Sequence, residues 1–506
     1  MILTVDLGTT VTKVALWDAG GLVALGRAPL VTARPELGWA EQDPESWWAS
    51  VVEATRAAGT AAGRSLDSVR AVSCCGARQT FVPVDGDGAP LGPGLLWSDR
   101  RAGAEARALA EALGGAGAVR ARTGVPLDGG SVAAKLSWLG RHHPERMAGA
   151  RWLLSPRDLV VARLTGRVTT DVTMASRTGL YDLDGLHDVD GDPVDELVGP
   201  AAGLVPPIVA PGTVVGSLVD AAVEALGLPA GVPVVTAAGD RACEALGGGA
   251  SPSRPLVSWG TTASVVMPVD DRPDVIPHQL VLTRSASAGW LVEGGLSAAG
   301  SLISWLADLT GTDVADLMAA AAGSPPGARG VVAVPWLDGA RAPWWRGDAR
   351  AGFVGLGSAH DAADLGRAAV EAVAADVRRC LAVTSEVARD SALADDRDGA
   401  GDGAGLVLAG LGSTDPLWSE VLAGVTGEPV TTRRSAEAAS VGAALLGASA
   451  VGWPVSLEDL NPIVADMVPR PEAVDLYRRW SSRADRVAEA LVELDLGEGA
   501  DETGPA

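Results

Sequence analysis

One short pattern occurs twice, and it constrains the fold more than anything else in the chain. Val5-Asp-Leu-Gly-Thr-Thr-Val-Thr-Lys-Val14 lines up with Val257-Ser-Trp-Gly-Thr-Thr-Ala-Ser-Val-Val266, with Val, Gly, Thr, Thr and Val at matching places. Each copy reads as a strand, a Gly-Thr-Thr turn and a second strand. The same device opening each half of a 506-residue chain predicts two similar α/β domains with a cleft between them. Chance matching of Val- and Thr-rich strands is the competing explanation. The flexible stretch Gly247-Gly-Gly-Ala-Ser-Pro252 sets the expected boundary. It gives a first domain over 1–248, a second over 249–455 and an extension with an acidic tail over 456–506.

The surrounding elements suit that frame. Strands are expected at Ile2–Val5, Thr12–Trp17, Leu22–Leu25, Val69–Ser73 and Thr80–Val84, with a hairpin-type turn at Asp85-Gly-Asp-Gly88. Helical periodicity covers Pro44–Ala58, opened by Asp43, and recurs as a buried helix at Gly300–Leu309 and a long one at Asp364–Val383. Ala392–Gly405 reads as a mobile surface loop, and the tail after Leu496 as disordered. A hydrophobic content of 47% supplies ample core, while a net charge of −23 sets aside nucleic acid and anionic lipid as partners. No apolar run reaches the ~18 residues of a membrane span, and Met1–Asp6 reads as a strand rather than a signal peptide. Cys74, Cys75, Cys243 and Cys380 lack metal spacing and read as reduced, buried thiols of a cytoplasmic protein.

Several strand ends carry groups suited to phosphate chemistry. Gly8 lets backbone approach a phosphate, Thr9 and Thr10 add hydroxyls, Asp6 can hold Mg²⁺ through water, and Lys13 can reach a phosphate. A plain hairpin with Thr in its turn explains the same residues. Gly260-Thr261-Thr262 repeats the device, and two such turns can grip the β- and γ-phosphates from opposite sides. Asp240 follows the apolar strand Val232–Ala237, where a carboxylate needs a task or a partner. It can serve as general base, as an N-cap for the helix Ala242–Leu246, or as both. The turn Ala409-Gly410-Leu-Gly-Ser413 suits flat packing against adenosine, although such turns occur in any α/β protein. Arg78, Gln79, Trp97, Asp99 and Arg100 can bind sugar hydroxyls or simply form solvated loops. The Pro343-Trp-Trp345 stretch reads as packing, and Arg241 either faces substrate or pairs with Glu244 one helical turn on.

In order and spacing these motifs resemble the FGGY family of carbohydrate kinases over about residues 1–455. Ala351-Gly-Phe-Val-Gly-Leu356, then Asp364-Leu365, then Ala368-Ala-Val-Glu371 fit the family's C-terminal signature. Glu41-Gln-Asp-Pro-Glu-Ser-Trp-Trp48, Leu96-Trp-Ser-Asp-Arg100, Lys135-Leu-Ser-Trp138, Gly239-Asp240 and Pro335-Trp-Leu-Asp-Gly339 fit in turn. The resemblance implies two ribonuclease-H-like domains of the actin/hexokinase ATPase kind, closing on a sugar or polyol and Mg·ATP. It implies Asp240 as catalytic base and Asp6 near Mg²⁺. It places Thr9, Thr10, Lys13 and Thr261 on phosphates, and Gly300, Gly410 and Thr414 around the nucleotide. Arg78, Gln79, Trp97, Asp99, Asp240 and Arg241 are then the substrate group.

Within the family the look is closest to xylulokinases, through Glu41–Trp48. Two positions depart from them. Ala77-Arg-Gln-Thr80 stands where xylulokinases carry Gln-Met-His-Gly and looks more like the Gln-Arg-Glu-Thr of glycerol kinases, and Arg241 replaces their Asn. The expected substrate is therefore not D-xylulose. Ser131 also sits one residue out of place in the signature around Lys135. The rival from another class is an actin-like ATPase or sugar-sensing protein without small-molecule kinase activity. Self-association into a homodimer stays open.

Overall fold

The computed structural model describes residues 1–186, 194–390 and 405–494. The loop expected at Ala392–Gly405 lies, but for Gly405, outside the described residues, as does the tail expected after Leu496. Contacts divide the chain into two compact units. One gathers Met1–Gly249, Val281–Leu291 and Glu437–Pro462, and the other Ala250–Leu280, Val292–Ala436 and Ile463–Ala506.

The first unit is built on the strands β1 (Ile2–Leu7), β2 (Val11–Asp18), β3 (Gly21–Pro29), β4 (Ala71–Gly76), β5 (Thr213–Ser217) and β6 (Pro233–Gly239). They lie in the order β5-β6-β4-β1-β2-β3. β1 is parallel to β4 and antiparallel to β2, while β6 is parallel to β4 and antiparallel to β5. β1 is buried along its whole length, as its near-continuous apolar run requires of a central strand covered on both faces. Helix α1 (Pro44–Ala62) starts where the Asp43 carboxylate accepts the Glu45 N–H at 3.0 Å, and it stops at Gly63 with φ 60°. Its apolar stripe of Trp47, Val51, Ala54 and Ala58 packs into one core with Leu3, Val5, Val14 and Leu16. Helices α2 (Val132–His142) and α3 (Asp240–Gly248) complete the part that carries the site.

In the second unit the strands are β7 (Leu256–Trp259), β8 (Ala263–Val269), β9 (Trp290–Gly295, entering this unit at Val292), β10 (Leu406–Ala409), β11 (Val430–Arg433) and β12 (Ile463–Met467). They run β9-β8-β7-β10-β11-β12. The pairing repeats that of the first sheet: β7 antiparallel to β8, β7–β10–β11 parallel, β12 antiparallel. The repeated sequence is thus a repeated topology. Its second copy turns one residue tighter: Val5 opposes Val14, whereas Val257 opposes Val265.

Helix α4 (Gly300–Thr310) is half-buried rather than buried as expected. Leu302, Ile303 and Leu306 face the core, but Trp305 and Leu309 are exposed. α5 (Ala362–Asp390) is longer than its expected span. α6 (Ala438–Ala450) belongs to the first unit, where it packs on α3. Trp344 packs edge-on against Trp336 at 5.5 Å and the Trp345 indole N–H donates to the Gln279 carbonyl, so that stretch does serve as packing. Among the described residues, no helix is long and apolar enough to cross a membrane.

Candidate active site

In the first unit, three parallel strands end side by side, and each end carries a candidate group. β1 ends at Asp6-Leu7, β4 leads into Arg78-Gln79, and β6 leads into Asp240. The Ala77 N–H donates to the Leu7 carbonyl at 2.9 Å, tying two of these ends together. Gly239 is needed where it stands: a Cβ there would meet the Arg78 Cδ at 2.6 Å and the Met174 Sδ at 3.2 Å. Arg78, with a side chain only 6% exposed, uses that room to place its Nε 3.0 Å from Asp240 Oδ1. Asp240 is the first residue of α3, and the cap position falls on Gly239. Its Oδ1 also accepts the Arg241 N–H at 2.7 Å, and the side chain remains 37% exposed. Behind it, the Gly239 N–H is held by Thr173 Oγ1 at 2.7 Å, and Thr173 by Asp171, which pairs with the fully buried Arg157 at 2.7 Å.

Asp6 lies deep in the same unit. Burial pushes its carboxyl up to about 6; Asp240 and Glu437 act the same way, and Lys13, 3.9 Å off, opposes them. Lys13 holds Glu437 at 2.7 Å, and Glu437 also takes Arg27 at 2.7 Å. Burial works against the Lys13 ammonium, but Asp6 and Glu437 outweigh it and raise its pKa. The four cysteines are free and buried, and the Cys75 thiol is pushed up first by its hydrogen bond with Cys243 and then by burial.

Two expected substrate residues sit otherwise. Asp99 has no exposed surface; its oxygens take the Arg101 guanidinium at 2.7–2.9 Å and the Ala40 N–H at 2.6 Å. It is a strut, because a carboxylate so enclosed has no oxygen left for a ligand. Arg241 is drawn to Glu244 at 2.5 Å, the second of its two anticipated placements. Trp97 and Thr9, assigned to different ligands, are joined: the indole N–H donates to Thr9 Oγ1 at 2.9 Å. Thr10 is exposed in the same turn, and Gln79 beside Arg78 is half-buried at φ 62°.

The second unit brings together Thr261, Gly300 and Gly410 around the end of β7. The Gly300 N–H donates to the Gly260 carbonyl at 2.9 Å, and the Ser301 N–H to the Thr261 carbonyl at 3.0 Å. A Cβ on Gly300 would lie 2.8 Å from the Gly260 oxygen. Gly410, at φ 80°, passes so close over Trp259 that a Cβ would lie 2.6 Å from its carbonyl oxygen. Thr261 is left exposed, and so is Thr414, whose Oγ1 closes a short turn onto the Leu411 carbonyl at 2.7 Å. Beneath, the Trp259 ring packs against Trp418 at 4.3 Å.

Sequence reasoning missed Glu437 and the Arg157–Asp171–Thr173 support, and it placed Lys135 in a motif without giving it a task. Of the missed residues only Asp171 left a local signal, an N-cap before the helix Val172–Thr178. Among the described residues, no group of three or more His, Cys, Asp or Glu is placed to hold a metal ion.

Comparison with known proteins bears on the whole chain. Residues 1–247 match the FGGY family of carbohydrate kinases, N-terminal domain, and residues 256–451 match its C-terminal domain. The chain is 33% identical to a xylulose kinase of Streptomyces rubiginosus over 97% of its own length and 93% of that protein. It is 31% identical to a glycerol kinase of Aromatoleum aromaticum, over 96% and 98% of the two. The crystal structure of a xylulose kinase from Rhodospirillum rubrum superposes with a TM-score of 0.83 at 27% identity, covering 97% of this chain and 98% of that one.

Proposed function

Since the chain belongs to the FGGY family of carbohydrate kinases and has that family's two-domain α/β fold, we propose that it moves the γ-phosphoryl of ATP to a hydroxyl of a small sugar or polyol, with Asp240 as general base. Phosphorylation of a sugar or polyol is the family's activity; the roles of individual residues are our reading. The observation that carries it is the Asp240 carboxylate, half-exposed at a strand end and steadied on one oxygen by Arg78. Both bonds end on Oδ1, so Oδ2 takes the acceptor's proton as the new O–P bond forms and the bond from the γ-phosphorus to the β–γ bridging oxygen breaks, releasing ADP. Arg78, Gln79 and Trp97 then position the acceptor.

The Gly-Thr-Thr turns and Lys13 serve the phosphates of ATP; Gly300, Gly410 and Thr414 serve the nucleoside part. Mg²⁺ neutralises phosphate charge when bound. Asp6 suits it as a single carboxylate acting through water, because Mg²⁺ keeps several waters and needs few protein ligands. Four buried free cysteines suit a reducing compartment, and we place the protein in the cytoplasm.

The test is ATP consumption by the purified protein over a panel of ketoses, polyols and sugar acids that includes glycerol and D-xylulose. Acceptor-dependent ADP release is expected, with D-xylulose not the preferred acceptor, because arginine occupies the Arg78 position. ATP turnover indifferent to every acceptor would overturn the reading.

A further inference from the structure

Lys135 is one of two lysines in the chain, and it has no exposed surface. Lysine is almost never fully buried unless its head group is engaged. The hydrogen-bond partners here are two carbonyls, not a carboxylate: Nζ donates to Gln79 O at 3.1 Å and to Leu96 O at 2.8 Å. The Phe81 ring lies 5.5 Å from the ammonium. An apolar side chain would fill this place on α2 without the desolvation cost, so packing alone does not account for a lysine.

What those carbonyls belong to gives the lysine its task. Gln79 is held at φ 62°, a backbone conformation unfavourable for a residue with a Cβ, and it directly follows Arg78, which contacts Asp240. Leu96 directly precedes Trp97, whose backbone N–H reaches Thr80 Oγ1 at 3.1 Å and whose indole reaches Thr9. One ammonium therefore ties down the start of two arms, one ending on the carboxylate and the other on the first Gly-Thr-Thr turn. We propose that Lys135 is a positioning residue for the acceptor site, fixing Arg78-Gln79 and Trp97 relative to each other through their backbone. This rests on the reading of Asp240, Arg78 and Trp97 given above. Burial also pushes the Lys135 ammonium down to about 7, and its neutral form still carries the two N–H groups that the carbonyls require.

The experiment uses the full-length protein with glycerol and D-xylulose as acceptors. Acceptor-dependent turnover of the unmutated protein is measured first, so a failure of the kinase reading shows before any Lys135 variant is scored. Lys135→Met removes both donors at similar volume. Lys135→Gln keeps an amide that reaches one carbonyl, and guards against a Met variant that does not fold. Acceptor kcat/KM should fall on the order of 10²-fold in Lys135→Met, because small misplacements of a positioned group cost that much. Lys135→Gln should recover part of the loss, and ADP affinity by calorimetry should stay within about twofold in both. An acceptor kcat/KM within about threefold of the parent in Lys135→Met would overturn the proposal. So would an equal loss of ADP affinity, or a Gln variant no better than Met.

Discussion

Asp240 and Arg241 are neighbours in sequence with different surroundings. The carboxylate is steadied by Arg78 and stays half-exposed, whereas the guanidinium is turned onto Glu244. A side chain that touched the acceptor would alter the ranking of acceptors by roughly 10- to 100-fold when removed. Arg241→Asn should instead lower kcat/KM for glycerol and D-xylulose by the same factor. Steady-state kinetics on both acceptors checks this, and a changed ranking would return Arg241 to the substrate group. At this scale the sequence showed the residues that sit at strand ends, such as Asp6, Thr9, Arg78 and Asp240. It did not show their partners. Lys13 and Glu437 are 424 residues apart, and Lys135 reaches a carbonyl 56 residues away. Such pairs exist only once the chain has folded, and a carbonyl leaves no trace in the residue type.

Among the elements, α3 and α6 make the closest approach that bears on the site. A Cβ on Gly442 would lie 2.0 Å from the Cys243 carbonyl oxygen, and one on Gly247 would lie 2.0 Å from that of Ala438. The two helices meet backbone to backbone, and α3 carries Asp240 at its first residue. Forcing in a methyl must separate the helices or distort them, and overpacking of this kind typically costs about 1–3 kcal/mol, occasionally more. Gly442→Ala should therefore destabilise the protein by an amount at or above that range, read as a lower urea midpoint, and reduce acceptor turnover as well. An unchanged midpoint would show that the crossing yields easily. The hairpins and helices themselves were legible, because periodicity and turn residues are local. Their limits shifted by a few residues: the strand expected at Thr80–Val84 begins at Val82, and that expected at Val69–Ser73 runs Ala71–Gly76. The return of α6 to the first unit was not legible, since a linear reading has no sign for a segment that packs far from its sequence neighbours.

For the whole molecule, the internal repeat proved the most informative feature. Two sheets with one strand topology follow a pattern of five shared residues, and the family assignment covers both halves. Composition contributed mainly expectations, such as the one that a chain of net charge −23 disfavours polyanionic partners. On our reading of the site, what function adds to that fold is concentrated in one carboxylate. Asp240→Asn keeps the shape of the side chain and can still accept the Arg78 hydrogen bond, but it cannot take a proton. Turnover of the best acceptor by Asp240→Asn, measured beside its ADP affinity, is therefore the most direct test. The expected result is a loss on the order of 10²–10⁴ in kcat with ADP binding preserved. Retention of more than about a tenth of the parent rate would contradict the assignment of Asp240 as the base.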